Sequence, residues 1–218
     1  MAEYAIIGEF NTLQDWNARL VSVEIGLPKV KSHFIELPLE STVLDLSETV
    51  MGYPAYGTRE IALYLGKKDN SPKAWASSVA DIAKAIHGKR LLIRLSFDPN
   101  YYFMGRISCE TEKIDFRRST YKITAICDPF RYSVDATSQS ISVSGTRSIT
   151  LQNKEMIVSP TFTTSAQGMT VSCNGEETWS IRAGSDVEIP EILLLPGTNT
   201  MTFKGNGTVG IKYREGVI

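Results

Sequence analysis

The sequence predicts a mainly β chain with one α-helix, divided into an N-terminal domain of antiparallel strands plus the helix and a C-terminal β-sandwich. Three observations predict it. The chain ends in two alternating apolar/polar runs, Thr200–Lys204 and Val209–Arg214, each with one apolar and one wet face. Only one segment, Pro72–His87, carries a helical period. Near Val134 the charged residues thin out while Ser, Thr and Gly rise, which sets the boundary between residues 1–133 and 134–218.

In the first domain, Trp16 to Ile25 alternates with a one-residue phase change at Leu20-Val21, the signature of a bulge. His33–Leu37 and Arg59–Leu65 are further strands. Ser71 is placed to cap the helix, Pro72 suits its first turn, and Gly88 supplies a left-handed stop. Trp75, Val79, Ile82 and Ile86 recur at spacings that put them on one face, and they are read as core. His87, in the last turn, complements the helix dipole. Arg90–Phe97, Tyr101–Glu110 and Thr120–Cys127 then form an antiparallel meander, with a turn at Asp98-Pro99-Asn100 and a solvated hairpin end at Arg117-Arg118.

The second domain shows short strands at regular intervals: Ser138–Val143, Ser148–Leu151, Thr161–Thr164, Met169–Cys173, Trp179–Ile181 and Asp186–Ile189. Gly145 and Asn153 punctuate the first of them, and Asn174-Gly175 reads as a type I′ turn. Pro196-Gly197 is the pairing a type II turn requires, so the apolar run Leu193–Leu195 reverses there. Gly205-Asn206-Gly207 is read as the loop of the closing hairpin.

Lys plus Arg number 23 and Asp plus Glu 24, a net charge of −1 that provides no field for holding nucleic acid or an anionic membrane. No signal peptide or membrane span is evident, which points to synthesis as a soluble protein in the cytosol. Cys109, Cys127 and Cys173 are odd in number and widely spaced, fitting neither a disulfide framework nor a zinc set, and are read as buried small hydrophobes. His33 and His87 lack the partners of a catalytic or metal site. Asp45, Glu48 and Glu60 are carboxylates of one region, read as solvated, as is the pair Glu176-Glu177. No catalytic residue, metal ligand or cofactor site is assigned, and the chain is not expected to be an enzyme. Trp179 is read as a core side chain, with stacking on a host-surface glycan as the alternative role, which would make the sandwich a carbohydrate-binding module.

Leu44-Asp45-Leu46-Ser47-Glu48, followed by Tyr56, Arg59 and Ile61, resembles a pattern of the distal tail proteins of phages with long non-contractile tails. Tyr101–Arg106, Cys127-Asp128-Pro129-Phe130-Arg131-Tyr132, Leu195-Pro196-Gly197-Thr198-Asn199 and Ile211–Arg214 resemble further family segments in the same order. Glu40-Ser41-Thr42 departs from the glycine-containing turn common before the Leu-Asp-Leu run. The resemblance implies a structural protein of a phage or prophage virion tail, assembled in the bacterial cytoplasm. Six copies would form a ring through the N-terminal hub domain. That ring would join the tail tube protein to the tail tip, tail-associated lysin or fibre, and receptor-binding proteins, with no membrane contact and with DNA only passing through. It implies that the second domain is a galectin-like sandwich, with residues from about 210 to 218 returning to the first. Candidate ring-interface residues, in and beside the loop from Leu44 to Tyr56, are Asp45, Glu48, Tyr53, Tyr56 and Arg59.

Overall fold

The computed structural model describes residues 3–36, 42–49, 52–68, 71–111 and 119–218, and the chain divides into two compact units, Met1–Arg131 and Tyr132–Ile218. The hairpin end at Arg117-Arg118 lies outside the described residues.

The first unit runs β1 (Ala5–Ile7), β2 (Phe10–Asn11), β3 (Arg19–Ile25), β4 (Val30–Lys31), β5 (Phe34–Glu36), β6 (Val43–Asp45), β7 (Ala55–Tyr56), β8 (Arg59–Lys67), α1 (Pro72–Ile86), β9 (Arg90–Leu95), β10 (Asp98–Thr111) and β11 (Ser119–Cys127). Its main sheet has the order β2-β1-β9-β10-β11-β8-β3, antiparallel throughout, with β3 at one edge. Alternation decides which face is covered. Ile61, Leu63 and Leu65 of β8, Ile93 and Leu95 of β9, Ile107 of β10 and Ile123 and Ala125 of β11 are buried in one core. Ile82 and Ile86 of α1 join them, with Trp75 and Val79 packed at the margin. Burying a side chain of this size contributes roughly 1.5–3 kcal/mol, so this face holds the helix in place.

The helix ends follow the sequence. Ser71 Oγ accepts the Ala74 N–H at 3.2 Å, Pro72 occupies the first turn where no donor is needed, and Gly88 adopts φ 75°. His87 behaves otherwise than expected: its Nδ1 accepts the Cys109 backbone N–H at 3.0 Å, so its ring fastens the helix end to β10. The bulge in β3 is present, since Leu20 faces Leu65 and Ser22 faces Tyr64, leaving Val21 as the extra residue.

The turn expected at Asp98-Pro99-Asn100 falls two residues earlier, at Ser96-Phe97, and Asp98 already pairs with Leu95. Pro99 has no N–H to donate, and the ladder accommodates it by slipping register between Asp98 and Phe103.

β12 (Arg131–Ser133) crosses the boundary in sequence, and β13 (Thr137–Asn153), β14 (Thr161–Thr164), β15 (Met169–Cys173), β16 (Trp179–Ile181), β17 (Gly184–Glu188), β18 (Gly197–Tyr213) and β19 (Gly216–Val217) follow it. The strand order is β16-β15-β18-β14-β17, with β13 along β18. Here the sequence reading needs correction. Gly205-Asn206-Gly207 is no hairpin loop, and Gly145 does not separate two strands: β13 and β18 pair without interruption from Thr137↔Tyr213 to Asn153↔Gly197. Gly145 stands opposite Gly205, and Gly145, Gly205 and Gly207 take φ of 77°, 126° and 154°. A crease in a continuous ladder needs the same positive φ as a loop, which is why the two look alike in sequence.

The crease makes the sandwich. Before it, Met201–Lys204 of β18 pair with β15; after it, Gly210–Lys212 pair with β14. Met201, Phe203, Val209, Ile211 and Tyr213 all point inward, and Phe203 meets Phe162 of β14 edge-on at 6.2 Å. Near the end of the chain, Arg214 donates to the Ser133 and Val134 carbonyls, and the Ser133 N–H donates to the Glu215 carbonyl at 2.9 Å.

Candidate assembly surface

The β4/β7 pair keeps the register of β3/β8, Val30 facing Tyr56 as Ile25 faces Ile61. Backbone bonds at the junction, Gly26 N–H to Glu60 O at 2.8 Å and Gly57 N–H to Lys29 O at 2.7 Å, make one long hairpin arm leave the sheet at its β3 edge. Beyond it, β5 and β6 pair Phe34 with Asp45, Ile35 with Leu44 and Glu36 with Val43.

All six residues of that ribbon are exposed, on both its faces. Along the arm and edge, Leu27 is 78 % exposed, Val21 67 %, Val30 62 %, Phe34 57 % and Val43 50 %, with Ile25, Ile35 and Leu44 exposed as well. Scattered apolar side chains are ordinary on a surface; a run of this extent on one hairpin marks a contact surface. A two-stranded ribbon is at best marginally stable in water. Sequence reasoning named the sheet edges and the Leu44–Tyr56 side of the arm, and missed Leu27 and Val30 because residues 27–32 carry no clean period of two.

The five sequence-selected residues fall into two groups. On the ribbon side, Asp45 Oδ1 accepts the Ser47 backbone N–H at 2.9 Å and the Ser47 hydroxyl, while Ser47 Oγ accepts the His33 N–H at 2.9 Å. Ser47 thereby holds the Asp45 carboxyl below its usual pKa. Asp45 closes the turn after β6. Glu48 is exposed in that turn, its carbonyl accepting the Gly52 N–H at 2.7 Å, and Tyr53 is half-buried. At the root of the arm, Tyr56 packs edge-on against Phe130 at 5.8 Å, and Arg59 is only 4 % exposed. Trp179, on the edge strand β16 opposite Val171, is half-buried against the core of the second unit.

A shallow cleft of about 370 Å³ lies on the first unit, lined in part by Glu60, His87, Arg106, Ser108 and Thr124. Its imidazole is engaged with Cys109 through Nδ1, and Arg106 donates to the Gly88 carbonyl at 2.6 Å. Among the described residues no group of three or more His, Cys, Asp and Glu is arranged to hold a metal, and no helix is long and apolar enough to cross a membrane. The cysteines are thiols in apolar surroundings; burial pushes Cys109 up to about 11 and Cys127 up to about 12, the nearby Asp128 adding to the latter.

A β-rich unit with one helix and a protruding apolar arm is thus followed by a creased β-sandwich. The same fold is found in the crystal structure of the SPP1 Dit (gp 19.1) protein, described as a paradigm of the hub adsorption apparatus in Gram-positive infecting phages. The likeness has a TM-score of 0.74, 13 % sequence identity and coverage of 100 % of both chains. At that identity what is shared is the fold, from end to end. No protein-family model and no curated protein sequence matches the chain.

Proposed function

We propose that this chain is a structural subunit of a phage tail hub, in which copies close into a ring of six between the tail tube and the host-recognition parts of the tail tip. The observation that carries the reading is the shared fold with SPP1 Dit over the whole of both chains. The exposed arm supports it, because a heterologous ring needs one surface on each copy that fits a different surface on the next. The arm supplies such a surface, and burying it between copies would complete a ribbon that has no core of its own. The residues proposed at the ring contact are Asp45, Glu48, Tyr53 and Tyr56, together with the apolar arm; Arg59, 4 % exposed in the single chain, is too buried to meet a neighbour. In this role the protein turns over no substrate, resides in the virion tail, and lets DNA pass without binding it.

The test is the absolute mass of the purified chain by light scattering across a concentration series. A mass that rises to that of six chains supports the ring. A strict monomer at every concentration, alone and with tail tube protein added, overturns it.

A further inference from the structure

The root of the arm holds more positive charge than its described neighbours balance. Arg59, the first residue of β8, is almost wholly buried, yet its guanidinium makes one hydrogen bond, from Nε to the Gly26 carbonyl at 2.8 Å. Its Nη1 is buried without a partner among the described residues, and the group lies over the Phe103 ring, 5.5 Å from the centroid. Arg131 lies over Tyr101, two residues before Phe103 on β10, at 5.0 Å. Its Nη1 pairs with Asp98 Oδ2 at 2.8 Å, and its Nε is buried without a partner.

The neighbouring acids are committed elsewhere. Asp98 serves Arg131, Asp128 pairs with Arg90 at 2.5 Å, and Cys127, across the ladder from Arg59, is held as a neutral thiol. Among the described residues, the one carboxylate paired with either guanidinium is Asp98, on Arg131. Burial, and then the charge of Arg131, lower the pKa of Arg59, as expected for a cation with no counter-ion beside it. A buried cation is retained in a fold only where hydrogen bonds and an opposite charge compensate its lost hydration.

We propose that Arg59 and Arg131 form a site for a small inorganic oxyanion, sulfate or phosphate, whose oxygens accept from Arg59 Nη1 and Arg131 Nε. The fork geometry of guanidinium suits such an anion, and the Phe103 and Tyr101 rings lie 5.5 and 5.0 Å from the two Cζ atoms. The site stands independently of the tail-hub reading.

The test measures thermal unfolding of the full chain in sodium sulfate and sodium phosphate against sodium chloride at equal ionic strength. The wild type is expected to show a saturable rise in Tm with either oxyanion. R59M, which removes the buried charge, is expected to lose the saturable part while unfolding no earlier than wild type in chloride. R59K, which keeps the charge but not the fork, serves the same purpose should R59M fail to fold. Crystals grown in selenate should place an anomalous peak within hydrogen-bonding distance of both nitrogens. A purely linear salt response in the wild type, an unchanged saturable response in both variants, or water or a neighbouring chain's carboxylate at that position would overturn the proposal.

Discussion

The side-chain amides of Asn174 and Asn199 are joined, Asn174 Nδ2 donating to Asn199 Oδ1 at 3.0 Å, and through them two separate turns of the second unit become one structure. Asn199 is fully buried; its Oδ1 also accepts the Leu195 N–H at 2.9 Å and its Nδ2 donates to the Leu195 carbonyl at 2.7 Å, closing the Pro196-Gly197 turn. Asn174 Oδ1 takes the Thr200 N–H at 2.9 Å. Replacing Asn199 by Ala strands the Leu195 groups in the interior. N199A is expected to lower stability by about 2–3 kcal/mol in urea unfolding, several times the effect of a Thr198→Ala control at the exposed neighbour.

The crease makes a second prediction. A Cβ on Gly207 would lie 2.5 Å from the Ala166 Cβ at a φ of 154°, and one on Gly205 would lie 2.7 Å from Met169 Sδ. G207A is expected to cost about 1–3 kcal/mol. Adding A166G removes the clash but not the backbone strain, so the double variant should recover part of the loss; a double-mutant cycle with no coupling would falsify the steric account.

On the arm, F34D combined with V43D places charge on side chains that already face solvent in the single chain. Unfolding free energy should change by no more than about 0.5 kcal/mol. The light-scattering mass, in contrast, should fall toward one chain, because the same carboxylates would have to be buried in the assembled contact.

The thiols set an alkaline limit. Burial raises Cys109 to about 11 and Cys127 to about 12 in the folded state, and raises Cys173 as well, whereas an unfolded thiol titrates near 8.5. The native state therefore keeps its protons where the unfolded state loses them. The stability these groups contribute is fully present below about pH 8.5 and falls as pH rises toward 11–12. Urea midpoints between pH 8 and 10.5 should decline, less steeply in C127A. At pH 8 the folded chain should react slowly with a thiol reagent and take up three equivalents once denatured.

How much of this was legible in the sequence depends on the range of the interaction. Local signals were read well: Ser71, Pro72 and Gly88 bracket α1, the Leu20-Val21 phase change marks the bulge, and Thr161–Thr164, Met169–Cys173 and Trp179–Ile181 emerge with the expected limits. Distant pairing was not. Whether Gly205-Asn206-Gly207 closes a hairpin or creases a strand depends on Gly145 lying opposite, a relation that no local window contains. The same holds for the site: Arg59 was selected through the family resemblance, but its want of a counter-charge among the described residues appears only when β10 brings Phe103 beside it and Tyr101 and Asp98 beside Arg131.

The uninterrupted ladder between β13 and β18 also dictates an order of events on the ribosome. The seven strands in the order β2-β1-β9-β10-β11-β8-β3 have all been synthesised once Cys127 has emerged, so the core they carry can close while the rest of the chain is still being made. The second unit has no such early stage. Thr137 waits for Tyr213, and because both layers of the sandwich hang from β18, neither can form ahead of the other. Until its last long strand is released, the nascent protein is a finished first unit trailing an unfolded second one.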